Sequence, residues 1–242
     1  MNQFLKSKGT ALITGGACRI GRAIALYLSS VGYTIALHYH SSQADAEKTA
    51  TQIHKNAGEC SLFRCDLTHE KNTRMLIGKI HKKHKDLNLL INNASIFLPS
   101  SFKKNSCAIL KNLQIHLIAP YILSQEFNTY CKKGEIINIL DTHVSQNNTR
   151  YFDYLLSKKA LLELTKMSAV ALAPNIRVNG IAPGLILAPK NKGNDHLNRL
   201  AKHIPLKRKG NTEHITKSIQ YLLDNSYVTG QILFNDGGEH LL

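Results

Sequence analysis

Residues 10–22 read TALITGGACRIGR, an apolar run followed by two glycines and then by Arg19, Ile20 and Gly21 at the start of a helical pattern. The run from Thr10 to Thr14 lacks polar alternation, which fits a strand buried on both faces. Gly15 and Gly16 let the chain turn sharply, and apolar spacing over 20–31, closed by Gly32, predicts the first helix. A strand that passes through glycines into a helix brings unpaired backbone N–H groups and a partial positive charge to one spot. Such a spot suits a phosphate. A glycine turn alone is weak evidence, because a strand-to-helix turn often needs glycine only for steric reasons; its place after the first strand strengthens it.

Outward from this turn the alternation continues. Strand-like runs at 33–39, 61–65, 87–94, 135–140, 176–182 and 231–235 are separated by helical patterns at 43–56, 69–84, within 105–130, at 151–173 (stopped by Pro174) and at 211–224. No linker, low-complexity tract or repeat interrupts them, so residues 1–242 are expected to form a single domain. Apolar strands alternating with helices imply parallel βαβ units with right-handed crossovers. The expected fold is α/β: a Rossmann-type, doubly wound parallel sheet of about seven strands with helices on both faces. Ligands of such sheets bind beyond the carboxyl ends of the strands, where the strand order reverses.

Composition narrows the function. With 43% hydrophobic and 19% charged residues, the 242-residue chain is not a disordered, fibrous or coiled-coil sequence. No apolar run approaches the ~18 residues that cross a bilayer, and the first residues lack a leader pattern. A soluble cytoplasmic protein without membrane contact is expected. Cys18, Cys60, Cys65, Cys107 and Cys131 are odd in number and form no CxxC pair, which argues against a disulfide framework or a structural zinc site. No metal is expected. Thirty-one Lys and Arg against 16 Asp and Glu give +15, a charge that attracts nucleic acid, an acidic carrier protein, a phosphorylated cofactor or a folate-like carboxylate. The densest basic stretch, KIHKKHK at 79–85, contains no aromatic residue to stack a base. It reads as a solvated helix end, as does 207–209, and no nucleic-acid partner is expected.

Two places carry chemistry. The second strand ends in Leu37-His38-Tyr39-His40-Ser41-Ser42, without the acid that would grip a ribose 2′-hydroxyl. Arg19, His38, His40, Ser41 and Ser42 can all donate to a 2′-phosphate, which points to NADP(H); histidines that merely end the strand in solvent are the plainer alternative. Later, Tyr154 and Lys158 stand four residues apart on one helical face, just after Asp141 at the tip of the fifth strand. An ammonium near a tyrosine favours the phenolate and draws its pKa from ~10 toward the working range.

With TGGACRIG at 14–21, Asp66 after the third strand, Asn92-Asn93-Ala94 after the fourth, Tyr154 and Lys158, IRVN at 176–179 with Pro183-Gly184, and NDGG at 235–238, the chain resembles the short-chain dehydrogenases/reductases over essentially its whole length. The resemblance implies NAD(P) with Gly15, Ile20 and Gly21 at the pyrophosphate, Asp66 near the adenine, and Tyr39, Asn92, Ala94, Pro183 and Gly184 lining the cofactor. It further implies that Lys158 holds the nicotinamide ribose while lowering the Tyr154 pKa, and that the protein is a homo-oligomer, a tetramer or a dimer with the homotetramer expected, joined through the fourth and fifth helices.

The departures from the family pattern resemble its pteridine reductase branch: Asp141 in place of a serine, Arg19 in place of the middle glycine, Ser95 closing the Asn-Asn-Ala motif, Phe97 beyond it, and Leu37-His38-Tyr39-His40. That branch implies that Phe97 stacks a pterin against the nicotinamide and that Ser95 and Arg19 contact pterin and phosphate. Asp141 and Tyr154 then handle substrate and proton, with a raised carboxyl pKa as one proton route. His116, four residues before Pro120, stands where the family has an asparagine that organises a relay water; it either substitutes for it or simply packs. The segment 185–195 is short and polar, which suggests an open site. Its Lys190 or Lys192 can meet a carboxylate tail or lie in solvent.

The expected activity is NADPH-dependent reduction of a dihydropterin or dihydrofolate-like substrate. A 3-oxoacyl thioester or other carbonyl reductase is the alternative, with +15 steering an acidic carrier; Asp141 argues against it, because a carboxylate cannot donate to a carbonyl oxygen. A nucleotide-sensing or nucleic-acid-binding protein on a retired scaffold is opposed by Tyr154 and Lys158. NADPH is expected to be oxidised faster than NADH at equal concentration, as followed by nicotinamide absorbance.

Overall fold

The computed structural model describes residues 7–97, 100–103, 108–147, 149, 151–188 and 194–242. The strands are β1 (Thr10–Ile13), β2 (Thr34–Tyr39), β3 (Cys60–Arg64), β4 (Leu87–Asn92), β5 (Gly134–Ile139), β6 (Ile176–Pro183) and β7 (Ile232–Asn235). They form one seven-stranded sheet in the order β3-β2-β1-β4-β5-β6-β7, parallel at every pairing. The order reverses between β1 and β4, and the crevice beyond their carboxyl ends is where the glycine turn lies.

Strand alternation builds two cores. Ala11, Ile13, Ile35, Leu37, Leu89, Ile91, Ile137 and Ile139 face helices α1 (Arg19–Ser30), α2 (Gln43–Lys55) and α8 (Thr212–Asp224). Leu12, Ala36, Leu90, Ile136 and Val178 point the other way, toward α3 (Glu70–Lys83), α5 (Ala119–Cys131) and α6 (Phe152–Ala171). Both faces are therefore covered, which is why the strands read as continuous apolar runs.

The helix expected within 105–130 is interrupted. A short α4 (Ile109–Leu113) runs into a π-helical turn, Gln114–Ile118, before α5 begins, while 104–107 lie outside the described residues. Pro120 supplies the physical reason. It has no N–H for the residue four positions earlier, which is His116, and its ring crowds that carbonyl, so a locally wider turn relieves both. The polar stretch 185–195 also gave no sign of α7 (Asn194–Ala201), which seats Leu197 and Ala201 beside Ile204 in buried positions. Cys18, Cys60, Cys65 and Cys131 are free thiols; Cys107 lies outside the described residues. Among the described residues no helix is long and apolar enough to cross a membrane, and no cluster of side chains could hold a metal.

Phe127 is fully buried in the core between the sheet and α3 and α5. Its replacement by Ala is expected to cost about 3–5 kcal/mol, measured as a lower urea midpoint with an unchanged slope.

Candidate active site

The glycine turn is held from three sides. The Thr14 hydroxyl donates to the Ile91 carbonyl at 3.2 Å and accepts the amides of Asn93 and Ala94 at 2.9 and 3.0 Å. Asn93 Nδ2 donates to the carbonyls of Thr14 and Gly15 at 2.9 and 3.1 Å. The amide of Gly15, at φ +63°, donates to His38 Nδ1 at 3.1 Å, so the ring proton sits on Nε2 and is donated to the Cys65 carbonyl at 3.0 Å. A Cβ on Gly21 would overlap the Gly15 carbonyl oxygen and Asn93 Nδ2, which leaves glycine as the one residue that fits.

This corrects one expectation. His38, read as a donor to a 2′-phosphate, is 2% exposed, has both nitrogens engaged, and is pulled by burial to a pKa of about 4. It is a neutral strut. Arg19 also lies differently: its backbone is left-handed at φ +54°, as a glycine's would be, and its guanidinium donates to the carbonyls of Leu187 and Ala188 at 3.4 and 3.0 Å. It thereby ties the turn to the loop after β6.

The donor set at this end fits a dinucleotide phosphate. Cys18 at the α1 N-cap makes no side-chain cap bond and the first turn carries no acid, so the helix entrance, with Ile20 and Gly21 in it, meets no competing negative charge. At the end of β2, Tyr39 is buried, whereas His40 and Ser41 are exposed and Ser42 is half-buried at the α2 N-cap, again without a cap bond. His40 lies 3.5 Å and His69 3.6 Å from the same oxygen of Asp66. Burial tends to raise the Asp66 pKa, but hydrogen bonds from Thr68 and the two histidines more than offset it and hold the carboxyl below its ordinary value.

Asn92, expected to line the cofactor, turns inward. Its amide donates to Asn138 Oδ1 at 2.8 Å; Asn138 donates to Thr165 Oγ1 at 2.9 Å, and Thr165 to the Leu161 carbonyl at 2.7 Å. This chain braces β4, β5 and α6 beneath the site, while the neighbouring Asn93 and Ala94 meet the turn. Pro183 and Gly184 close β6 at the same end of the sheet, and a Cβ on Gly184 would press on Asp236.

At the tip of β5, Asp141 Oδ2 accepts the Tyr154 hydroxyl at 2.9 Å. Its Oδ1 accepts the backbone N–H of His143 at 2.9 Å and the His143 Nδ1 at 2.8 Å. Burial favours a higher carboxyl pKa, but the hydrogen bonds and charge of His143 outweigh it, so Asp141 lies below its usual range and is ionised. The raised carboxyl pKa is thus corrected. So is the lowered tyrosine: burial, then the Asp141 charge and hydrogen bond, hold Tyr154 well above 10. Lys158 is 2% exposed, donates from Nζ to the Ile139 carbonyl at 2.7 Å, and lies 6.0 Å from the Tyr154 ring centre. Burial lowers its own pKa to about 8. Desolvated in this way, it does not outweigh burial and the directly bonded carboxylate, which set the Tyr154 shift.

Phe97 is 51% exposed, with its ring centre 4.2 Å from that of Tyr151 and 4.8 Å, edge to face, from that of Tyr154. His116 is packed. Its Nε2 accepts the Ile96 amide at 3.2 Å and lies 2.9 Å from the Ser95 hydroxyl; its Nδ1 donates to Ser157 Oγ at 2.8 Å, and Ser157 donates to the Tyr154 carbonyl. Burial and then the Lys158 charge lower its pKa to about 2. Sequence reasoning gave no role to Asn93, Asn138, Ser157 or His143. Only His143 left a signal, standing two residues beyond Asp141, within reach of an N-cap carboxylate. Lys190 and Lys192 lie outside the described residues.

A glycine turn at the sheet's reversal point, an uncapped helix entrance, and an aspartate, a tyrosine and a lysine gathered beyond β5 are the parts of a dinucleotide-dependent reductase. Residues 15–240 match the family model described as enoyl-(acyl carrier protein) reductase, and the chain belongs to the short-chain dehydrogenase/reductase family of oxidoreductases. It is similar to the solved structure of FolM alternative dihydrofolate reductase 1 from Brucella suis in complex with NADP, at 33% identity and a TM-score of 0.92, over 97% of this chain and 96% of that one. It is 28% identical to pteridine reductase 1 of Leishmania tarentolae over 96% of each chain. It is also 28% identical to the 3-oxoacyl-[acyl-carrier-protein] reductase FabG of Staphylococcus epidermidis, over 96% of this chain and 99% of that one.

The two buried neutral histidines make stability depend on pH. Their folded pKa values lie below the usual 6.5, so their contribution is complete above pH 6.5 and is lost as pH falls toward the folded values. At about pH 5 each is expected to cost roughly 2 kcal/mol relative to neutrality, and His116→Asn should remove about half of that loss, read from urea unfolding at both pH values.

Proposed function

We propose that this chain is an NADPH-dependent reductase of a pterin, acting on a dihydropterin or dihydrofolate-like C=N bond. The observation that carries this reading is the Tyr154 hydroxyl bonded to Asp141, with the exposed ring of Phe97 edge to face against the Tyr154 ring. When bound, NADPH supplies the hydride. Gly15, Ile20 and Gly21 hold its pyrophosphate at the α1 entrance, and His40, Ser41 and Ser42 hold its 2′-phosphate. Asp66 lies by the adenine, Tyr39, Ala94, Pro183 and Gly184 line its path, and Lys158 meets the ribose. The similarity to an NADP-bound structure and the lack of an acid after β2 support the phosphorylated form.

The protein's own groups divide the remaining work. Phe97 offers a flat apolar face to a heterocycle, and Ser95 and Arg19 flank it as polar contacts. Tyr154 keeps its hydroxyl proton across the neutral range because its pKa is raised, so it is loaded to protonate the ring nitrogen as the adjacent carbon takes the hydride. Asp141 aims that hydroxyl and, being ionised, accepts N–H donors, which a pterin carries in its aminopyrimidine ring. A thioester carbonyl offers none. The reading includes a cytoplasmic homotetramer assembled through α5 and α6, where Tyr121, Leu156, Met167 and Val170 are exposed.

The test compares NADPH oxidation with a dihydropterin, dihydrofolate and an acetoacetyl thioester. Turnover of a pterin that disappears in Asp141→Ser is expected; turnover of the thioester alone would overturn the substrate class. Phe97→Ala should raise the pterin KM by about 5- to 150-fold, equivalent to ~1–3 kcal/mol of aromatic burial.

A further inference from the structure

The proton that Tyr154 gives up has to be replaced before the next turnover, and its surroundings restrict the source. His116 stands edge-on to the Tyr154 ring at 5.3 Å, but it is neutral and its one ring proton is committed to Ser157. Among the described residues the hydroxyl itself bonds to Asp141. On the far side of that carboxyl sits His143, whose Nδ1 is 2.8 Å from Asp141 Oδ1 and whose Nε2 is 3.7 Å from Glu239 Oε1. The His143 side chain remains 37% exposed, so its ring reaches both the half-buried carboxylate and water.

The arrangement is fastened from the carboxyl-terminal segment. Asp236 accepts the Thr142 hydroxyl and, at 2.7 Å, the His240 amide; Gln146 Nε2 donates to the Glu239 carbonyl at 3.0 Å. These bonds hold the short helical turn Thr142–Ser145, which carries His143, against the turn Glu239–Leu241.

We propose that His143 is a positioning residue of the reduction: held between Asp141 and Glu239 as an imidazolium, it restores the Tyr154 hydroxyl through Asp141 after each turnover. This rests on the reading of Tyr154 as proton donor, whatever the substrate. The His143 Nδ1–H bond breaks as an O–H bond forms on Asp141; the carboxyl group turns and passes that proton to the phenolate, which regenerates phenol and carboxylate. With Nε2 still protonated, the ring then swings Nδ1 off the carboxylate into water, takes a proton there and returns to Asp141. No electron moves.

The overall transfer from His143 to Tyr154 runs toward the higher proton affinity, and Asp141, the weakest base of the three, is protonated only in passing. Tyr154 lies well above 10, His143 above its usual 6.5, and Asp141 below its usual 3.8. The groups facing His143 are Asp141, whose hydrogen bond is the main cause of its shift, then Glu239 and Asp236. His240 lies against Asp236, and Tyr154 and Lys158 lie beyond Asp141.

The experiment combines a pH series of kcat with proton NMR of the histidine ring hydrogens, on the wild type, His143→Asn and Glu239→Gln. Asparagine keeps an N–H donor near Asp141 but cannot carry the charge, and an unchanged NADPH dissociation constant shows that the fold is intact. In the wild type, kcat should fall through a midpoint above 6.5, and the ring signal that vanishes in His143→Asn should titrate there too. In His143→Asn that limb should be absent and kcat near neutrality should drop roughly tenfold or more. Glu239→Gln should move the midpoint down. A His143→Asn protein with the wild-type rate and profile, or a ring signal titrating at or below 6.5, overturns the proposal. The series is run with both the dihydropterin and the acetoacetyl thioester. Wild-type turnover of the thioester alone refutes the substrate reading, while the pH limb measured on the thioester still decides the role of His143.

Discussion

The Thr14 hydroxyl is the pin on which the site turns. It joins β1 to β4 where the strand order reverses, and it does so with three hydrogen bonds from one small side chain. Asn93 and His38 extend the same connection, so that the glycine turn is tied to β1, β2 and β4 at once. An anion site made of backbone N–H groups has no long side chains to adjust, so its accuracy depends on the rigidity of the loop that presents it. Here that rigidity comes from neutral, buried polar groups, which cost little once every partner is in place.

The proton-handling end follows another principle. Asp141, Tyr154 and Lys158 are largely withdrawn from water, where charge is costly and each group's ionisation is set by its direct partners. Asp141 stays ionised because two donors on the His143 residue and the Tyr154 hydroxyl all point at it. The same carboxylate then keeps the tyrosine protonated. A loaded donor suits the reductive direction, because a proton must leave the enzyme as a hydride arrives on substrate.

The fold was legible in the chain because its physics is local. Apolar runs bounded by turn residues mark strands covered on both faces, and the order of helices between them leaves little choice of topology. The site was legible as a set of residue types, less so as a set of partners. Asn92 and Asn93 are adjacent and identical, and only the pleat decides which one reaches the turn and which one braces β5. His38 ends a strand in a motif rich in donors, yet the direction of its side chain makes it an internal strut. The ionisation of Asp141 depends on a helical turn that folds His143 back onto it; the spacing of two hints at the backbone cap but not at the ring contact. Lys158 illustrates the remaining gap: a helical spacing of four puts it on the face of Tyr154, but desolvation and the directly bonded carboxylate decide whether its charge is felt.

The π-helical turn at Gln114–Ile118 also sets the rotational phase of everything that follows it. A wider turn holds one residue more than an α-helical one, which rotates the downstream helix by about 100° about its axis. The stripe of α5 that carries Leu123 and Phe127 faces the sheet only in that phase. A deletion of one residue within the turn would regularise the helix and swing the stripe toward solvent, so the irregularity that accommodates His116 beside the active site is also the indexing step that seats α5 on its core.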